Sequence, residues 1–116
     1  MMDLNQGIDN LMVLIKNDYR ANCQNMDGET LGRGAAAMVE RFEANLSISR
    51  GSKYIKVIRD GSVWGFIVAT DGDAKFHKGD ILKPASWAAP ARNKARGNVI
   101  SGNFRGCTWI GPAYLK

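Results

Sequence analysis

Lys53-Tyr-Ile-Lys-Val-Ile-Arg-Asp-Gly-Ser-Val-Trp-Gly-Phe-Ile-Val-Ala-Thr70 decides the fold. Two runs rich in β-branched and aromatic residues, Lys53–Arg59 and Ser62–Thr70, are separated by Asp60-Gly61. This dipeptide takes the left-handed backbone angles of a two-residue hairpin turn, so the stretch predicts an antiparallel β-hairpin. In the second run Trp64, Phe66 and Val68 alternate with Val63, Gly65 and Ile67. Both faces are apolar, which marks a central strand, and Gly65 invites a bulge or the close approach of another segment.

Downstream, Asp71-Gly-Asp73 reads as a turn and Gly79-Asp80 as a second, tighter one leading into a short strand at Ile81-Leu82. Asn98-Val-Ile100, a turn at Ser101-Gly-Asn103 and a last strand at Cys107-Thr-Trp-Ile110 complete the β-rich part. Upstream, Leu4, Ile8, Leu11, Met12, Ile15 and Tyr19 recur at helical spacing over Leu4–Gln24, with Asp3 as the N-cap. Three glycines between Asn25 and Gly34 end that helix. A second helix over Ala35 to about Asn45 puts Ala35, Met38, Val39, Phe42 and Leu46 on one face. The expected class is α+β: two N-terminal helices packed on a small antiparallel, strongly curved sheet or partial barrel. One domain spans 1–116, helical over 1–50 and β-rich and basic over 51–116.

A chain of 116 residues suits one core, and 45% hydrophobic with 23% charged residues is an ordinary globular composition. The longest apolar stretch, around Val63–Thr70, is far shorter than the ~20 residues of a spanning helix, and no secretion signal is read at the N-terminus. The expectation is a cytoplasmic protein with Cys23 and Cys107 as free thiols. The net charge of +5 is unevenly spread. Residues 1–50 carry five cations against seven acids, whereas residues 51–116 carry eleven cations against four acids, the last being Asp80. Such asymmetry points to an anionic partner, nucleic acid first and an acidic protein surface second.

Enzyme chemistry is not expected. The one histidine, His77, sits in a Lys-rich turn, and neither a nucleophile–base pair nor clustered zinc ligands can be assembled around it. Asp71, Asp73 and Asp80 stand in Asp-Gly contexts that favour turn formation over paired-carboxylate catalysis. The glycines at 28, 32 and 34 follow no strand and precede no Lys-Ser/Thr, so no phosphate loop is present. No cofactor and no metal is called for.

The segment Lys83-Pro-Ala-Ser-Trp-Ala-Ala-Pro-Ala-Arg-Asn-Lys-Ala-Arg-Gly-Asn98 is the candidate site. Pro84 and Pro90 exclude a continuous helix and favour an exposed path. Trp87, among small residues, is free either to stack on a ligand or to plug an apolar pocket. Arg92, Lys94 and Arg96 make a cationic stripe for phosphates, with Asn93 or Asn98 available for base edges. Lys83 and Arg105 extend the basic face. A bland alternative makes Trp87 a core plug and the cations a solvated edge.

The phrase Gly79-Asp-Ile-Leu-Lys-Pro-Ala-Ser-Trp-Ala-Ala-Pro-Ala-Arg-Asn-Lys-Ala-Arg-Gly-Asn98 resembles one found in small, uncharacterised proteins of tailed bacteriophages. The wider similarity runs from Met38 to Leu115 and takes in Lys53-Tyr-Ile-Lys-Val, Ser62-Val-Trp-Gly-Phe-Ile-Val and Trp109-Ile-Gly-Pro-Ala-Tyr-Leu115. The first 34 residues lie outside it, as a variable addition. The resemblance implies a phage origin and action in the host cytoplasm, and it brings no activity or catalytic residue. The expected function is therefore non-enzymatic nucleic-acid binding through the basic C-terminal face, DNA or RNA. The alternative is a modulator of an acidic host protein that uses the same loop. Self-association through the first helix is a further expectation.

Overall fold

In the computed structural model, which describes residues 3–27 and 33–112, Asp60 (φ 48°) and Gly61 (φ 80°) both occupy the left-handed region. These are the angles of the primed turn that matches strand twist, and they join β2 (Tyr54–Arg59) to β3 (Ser62–Val68) as an antiparallel hairpin. β1 (Leu46–Arg50) pairs with the outer edge of β2, and β4 (Ile81–Leu82) with the other side of β3. The order β1-β2-β3-β4 is an open four-stranded antiparallel meander. It corrects the expected partial barrel, because β1 and β4 stay at opposite edges and the sheet is not strongly curled.

The central position of β3 is reached with one change of parity. Val57 pairs with Gly65 and Ile58 with Val63, so Trp64 is an extra residue in the ladder. A bulge of this kind redirects the side chain that it carries. Trp64 therefore joins Ile55, Val57 and Ile67 on the helix-facing side, while Val63, Phe66 and Val68 pack with Phe76 and Leu82 on the other. Simple alternation had grouped Trp64 with Phe66 and Val68. At Gly65 the chain does approach closely: a Cβ there would lie 2.8 Å from Pro112 Cγ and 2.9 Å from the Leu82 carbonyl oxygen.

Two helices cover the first face. Helix α1 (Leu4–Asp27) starts at Asp3, whose Oδ1 accepts from the Gln6 N–H at 2.8 Å, as an N-cap does. Its Ile8, Leu11 and Ile15 are buried in one cluster with Phe42, Leu46, Ile55, Val57, Trp64, Ile67, Ile81 and Val99, so a single core joins helices and sheet. Helix α2 (Arg33–Ala44) lies against α1, with Tyr19 stacked on Phe42 at 4.0 Å and Cys23 packed with Val39. Cys23 and Cys107 are not joined by a disulfide and lie in separate clusters. Among the described residues no helix is long and apolar enough to cross a membrane.

Three expectations are corrected. The helical part ends at Ala44 rather than near 50, because Leu46 and Ile48 alternate with Ser47 and Ser49 in an edge strand. Met38, placed on the inner face of α2, is exposed. Cys107–Ile110 is not a strand, since its backbone groups are engaged elsewhere. Cys107 N–H reaches Phe104 O in a turn, Thr108 O accepts from Trp64 Nε1 at 2.8 Å, and Trp109 N–H donates to Asp18 Oδ2 at 2.8 Å. The centre of the glycine-rich loop, residues 28–32, and the end of the phage-like similarity, residues 113–115, lie outside the described residues.

Candidate functional site

The second face of the sheet carries the segment read as the site. From Lys83 the chain makes a closed loop: Ala91 N–H donates to Lys83 O at 2.7 Å, Ala85 N–H to Ala89 O at 2.9 Å, and Pro84 opposes Pro90. Prolines donate no backbone hydrogen bond, so the neighbouring alanines close the loop. Trp87 lies within it and is 56% exposed, which decides between the two readings of its ring: it is not a core plug.

Lys56, from the middle of β2, places its ammonium 4.3 Å from the centroid of the Trp87 ring and 5.9 Å from that of Phe66. An ammonium over an indole is held by the ring quadrupole. Two shallow grooves adjoin this pair. One, of about 270 Å³, is lined by Ser49, Arg50, Lys53, Tyr54, Lys56 and Phe66, joining three cations to two aromatic rings. The other, of about 390 Å³, is bordered by Trp87 and by Ser62, Val63, Pro84, Ala85 and Ser86, with no charged side chain in its lining.

Arg92 is committed elsewhere. Its guanidinium grips Asp73 through two bonds of 2.9 Å, donates to the Tyr54 hydroxyl and lies 4.9 Å from the Phe76 ring. Asp73 Oδ1 also accepts from Lys75 and Phe76 N–H, which makes Asp73 a turn residue, as its context predicts. The bonds from Arg92, and then those from the two backbone amides, hold the Asp73 carboxyl well below the usual carboxylate range. Its charged form thus stabilises the fold above the unfolded-chain value of about 4, and that contribution fades as pH falls below it. Asp73→Asn is expected to lower the thermal midpoint at pH 7. The gap to the parent protein should narrow steadily below about pH 4; a gap constant to pH 2, by circular dichroism, would contradict the clamp.

The expected cationic stripe separates into three environments. Arg96 is buried, with Nε donating to Lys94 O at 2.9 Å and Nη2 to Asn93 Oδ1 at 3.0 Å, and its own N–H joins Ile81 O at the outer edge of β4. Asn93 is occupied by that bond, and Lys94 is exposed. Asn98 is structural: its amide donates to Lys78 O and Asp80 Oδ1, and its Oδ1 accepts from Ile100 and Ser101 N–H. Lys83 is half-buried, and that burial, then the charge of Arg96, pulls its pKa down. Arg105 is exposed in the turn after Asn103.

Arg96→Ala is therefore expected to cost about 1–3 kcal/mol by stranding polar groups that now have partners, whereas Lys94→Ala should stay within ~0.5 kcal/mol. Urea denaturation measures both. Equal costs would mean that Arg96 is as free as Lys94.

Sequence reading missed Arg50, Lys53 and Lys56. The last two stand in the hairpin stretch itself, but only strand register shows that Lys56, Tyr54 and Phe66 share the face under Trp87. Among the described residues no group of three His, Cys, Asp or Glu is placed to hold a metal, and His77 is exposed in its turn. Against known proteins, neither a curated protein nor a solved structure matches the chain. One family does match, over residues 3–115, a span that takes in α1. The chain belongs to the family of unknown function DUF7717.

Proposed function

We propose that this protein binds nucleic acid, DNA or RNA, without catalysis, through the sheet face that carries Trp87. The observation behind this reading is the exposed Trp87 indole beside a groove that combines Arg50, Lys53 and Lys56 with Tyr54 and Phe66. Cations beside aromatic rings serve phosphate and base together. Lys94 and Arg105 are exposed and add long-range attraction, while Arg92 and Arg96 act through the shape of the loop. The phage-like phrase fits such a small, basic accessory protein acting in the host cytoplasm.

Fluorescence anisotropy with labelled oligonucleotides tests it. Micromolar or tighter binding at ~50 mM salt is expected, with log K falling at a slope of about −2 against log salt if three phosphates are neutralised. A second reading, a modulator of an acidic host protein, draws on the same exposed Trp87, since aromatic residues anchor protein interfaces. Capture of one stoichiometric host protein after nuclease treatment, with no oligonucleotide bound, would favour it.

A further inference from the structure

The two grooves beside Trp87 differ in charge, and this difference selects among nucleic acids. We infer that the site takes an unpaired strand: one base stacks on Trp87 in the neutral groove, and the neighbouring phosphates lie along Arg50, Lys53 and Lys56. The inference rests on the nucleic-acid reading above and gives it a ligand class.

Trp87 is 56% exposed and Lys56 stands over its ring. Lys56 lines the cationic groove but not the neutral one, where Trp87 borders open space beside Ser62, Val63, Pro84, Ala85 and Ser86. An apolar and hydroxyl lining beside an indole suits a base and its sugar. In a duplex, base faces are already covered by their stacked neighbours and are closed to the indole; in a single strand they are open.

Charge points the same way. A duplex presents two phosphate rails, and cations line one groove here, not both. The neutral groove ends at the hairpin turn, where exposed Asp60 precedes Gly61 and would repel a second rail. One strand fits the pattern: backbone on the cationic side, base on the indole.

Labelled ten-nucleotide dT and rU strands, a duplex of equal length and an abasic strand of equal length, titrated with the intact protein at ~50 mM salt, test the inference. Both single strands should bind, the duplex and the abasic strand at least roughly tenfold more weakly, and tryptophan emission should be quenched by dT. A difference in affinity between the dT and rU arms shows which of DNA and RNA is preferred. Trp87→Ala should weaken dT binding by roughly ten- to a hundredfold, leave the abasic strand unaffected and abolish the quench, since Trp64 is buried and Trp109 packs on Tyr19 and Phe42 at the helix side of the sheet. Lys53→Ala should weaken every strand alike. Circular dichroism confirms that both variants fold. Equal or tighter binding of the duplex, or an abasic strand that binds as well as dT, overturns the inference and leaves the nucleic-acid reading standing. No binding of any probe overturns both.

Discussion

Gly7→Ala is expected to lower stability by about 2–3 kcal/mol and the thermal midpoint by about 10 °C, although the change improves helix propensity. In an exposed helix interior, Ala would gain about 1 kcal/mol over Gly. At this position a Cβ would lie 2.3 Å from the Val99 carbonyl oxygen, 2.6 Å from its carbonyl carbon and 3.0 Å from its Cβ. Two of these atoms are backbone, so no rotamer change relieves the clash. Val99 is itself fully buried and follows Asn98, whose side chain ties four backbone and side-chain groups together. The helix must lift off the core or that turn must break. Differential scanning calorimetry decides: an unchanged or raised midpoint would mean that α1 does not seat on Val99.

Trp64→Ala should cost more, about 3–5 kcal/mol, because it empties the largest fully buried side chain of the core. A typical domain holds only about 5–15 kcal/mol in total, so the variant sits near the edge of folding. Trp64→Phe separates packing from hydrogen bonding. It keeps an aromatic ring and gives up the 2.8 Å bond from Nε1 to Thr108 O, for an expected cost nearer 1–2 kcal/mol. Guanidinium titration of both variants is the measurement, and costs that are equal would assign the whole effect to that one bond.

The hairpin, its turn and the helix start at Asp3 were legible because each depends on local chemistry. Asp60-Gly61 specifies backbone angles, and Asp3 caps the amides just after it. The inner stripe of α1 was legible by period alone. Trp64 was assigned to the wrong face because a single inserted residue reverses alternation, and nothing in the side chains announces it. β1 escaped because Ser-Ile-Ser-Arg is polar, as an edge strand can afford to be.

At the candidate site, sequence placed Trp87 and left its exposure open. It overstated Arg92 and Arg96: Arg92 is held by the tertiary partners Asp73 and Tyr54, and Arg96 by the Lys94 carbonyl and the Asn93 side chain, through a local loop shape that residue types alone do not announce. The contribution of Arg50, Lys53 and Lys56 depends on strand pairing and on a loop about thirty residues away.

The loop closed between Lys83 and Ala91 separates the proposed recognition surface from folding. Its base is fastened by backbone bonds that any side chain but proline permits, and residues 85–89 are exposed and belong to none of the apolar clusters. Under the proposed reading, substitutions in this short arc alter what is bound while leaving the sheet beneath untouched. Evolution, or a library built on these five positions, has a surface here on which specificity drifts without loss of the scaffold.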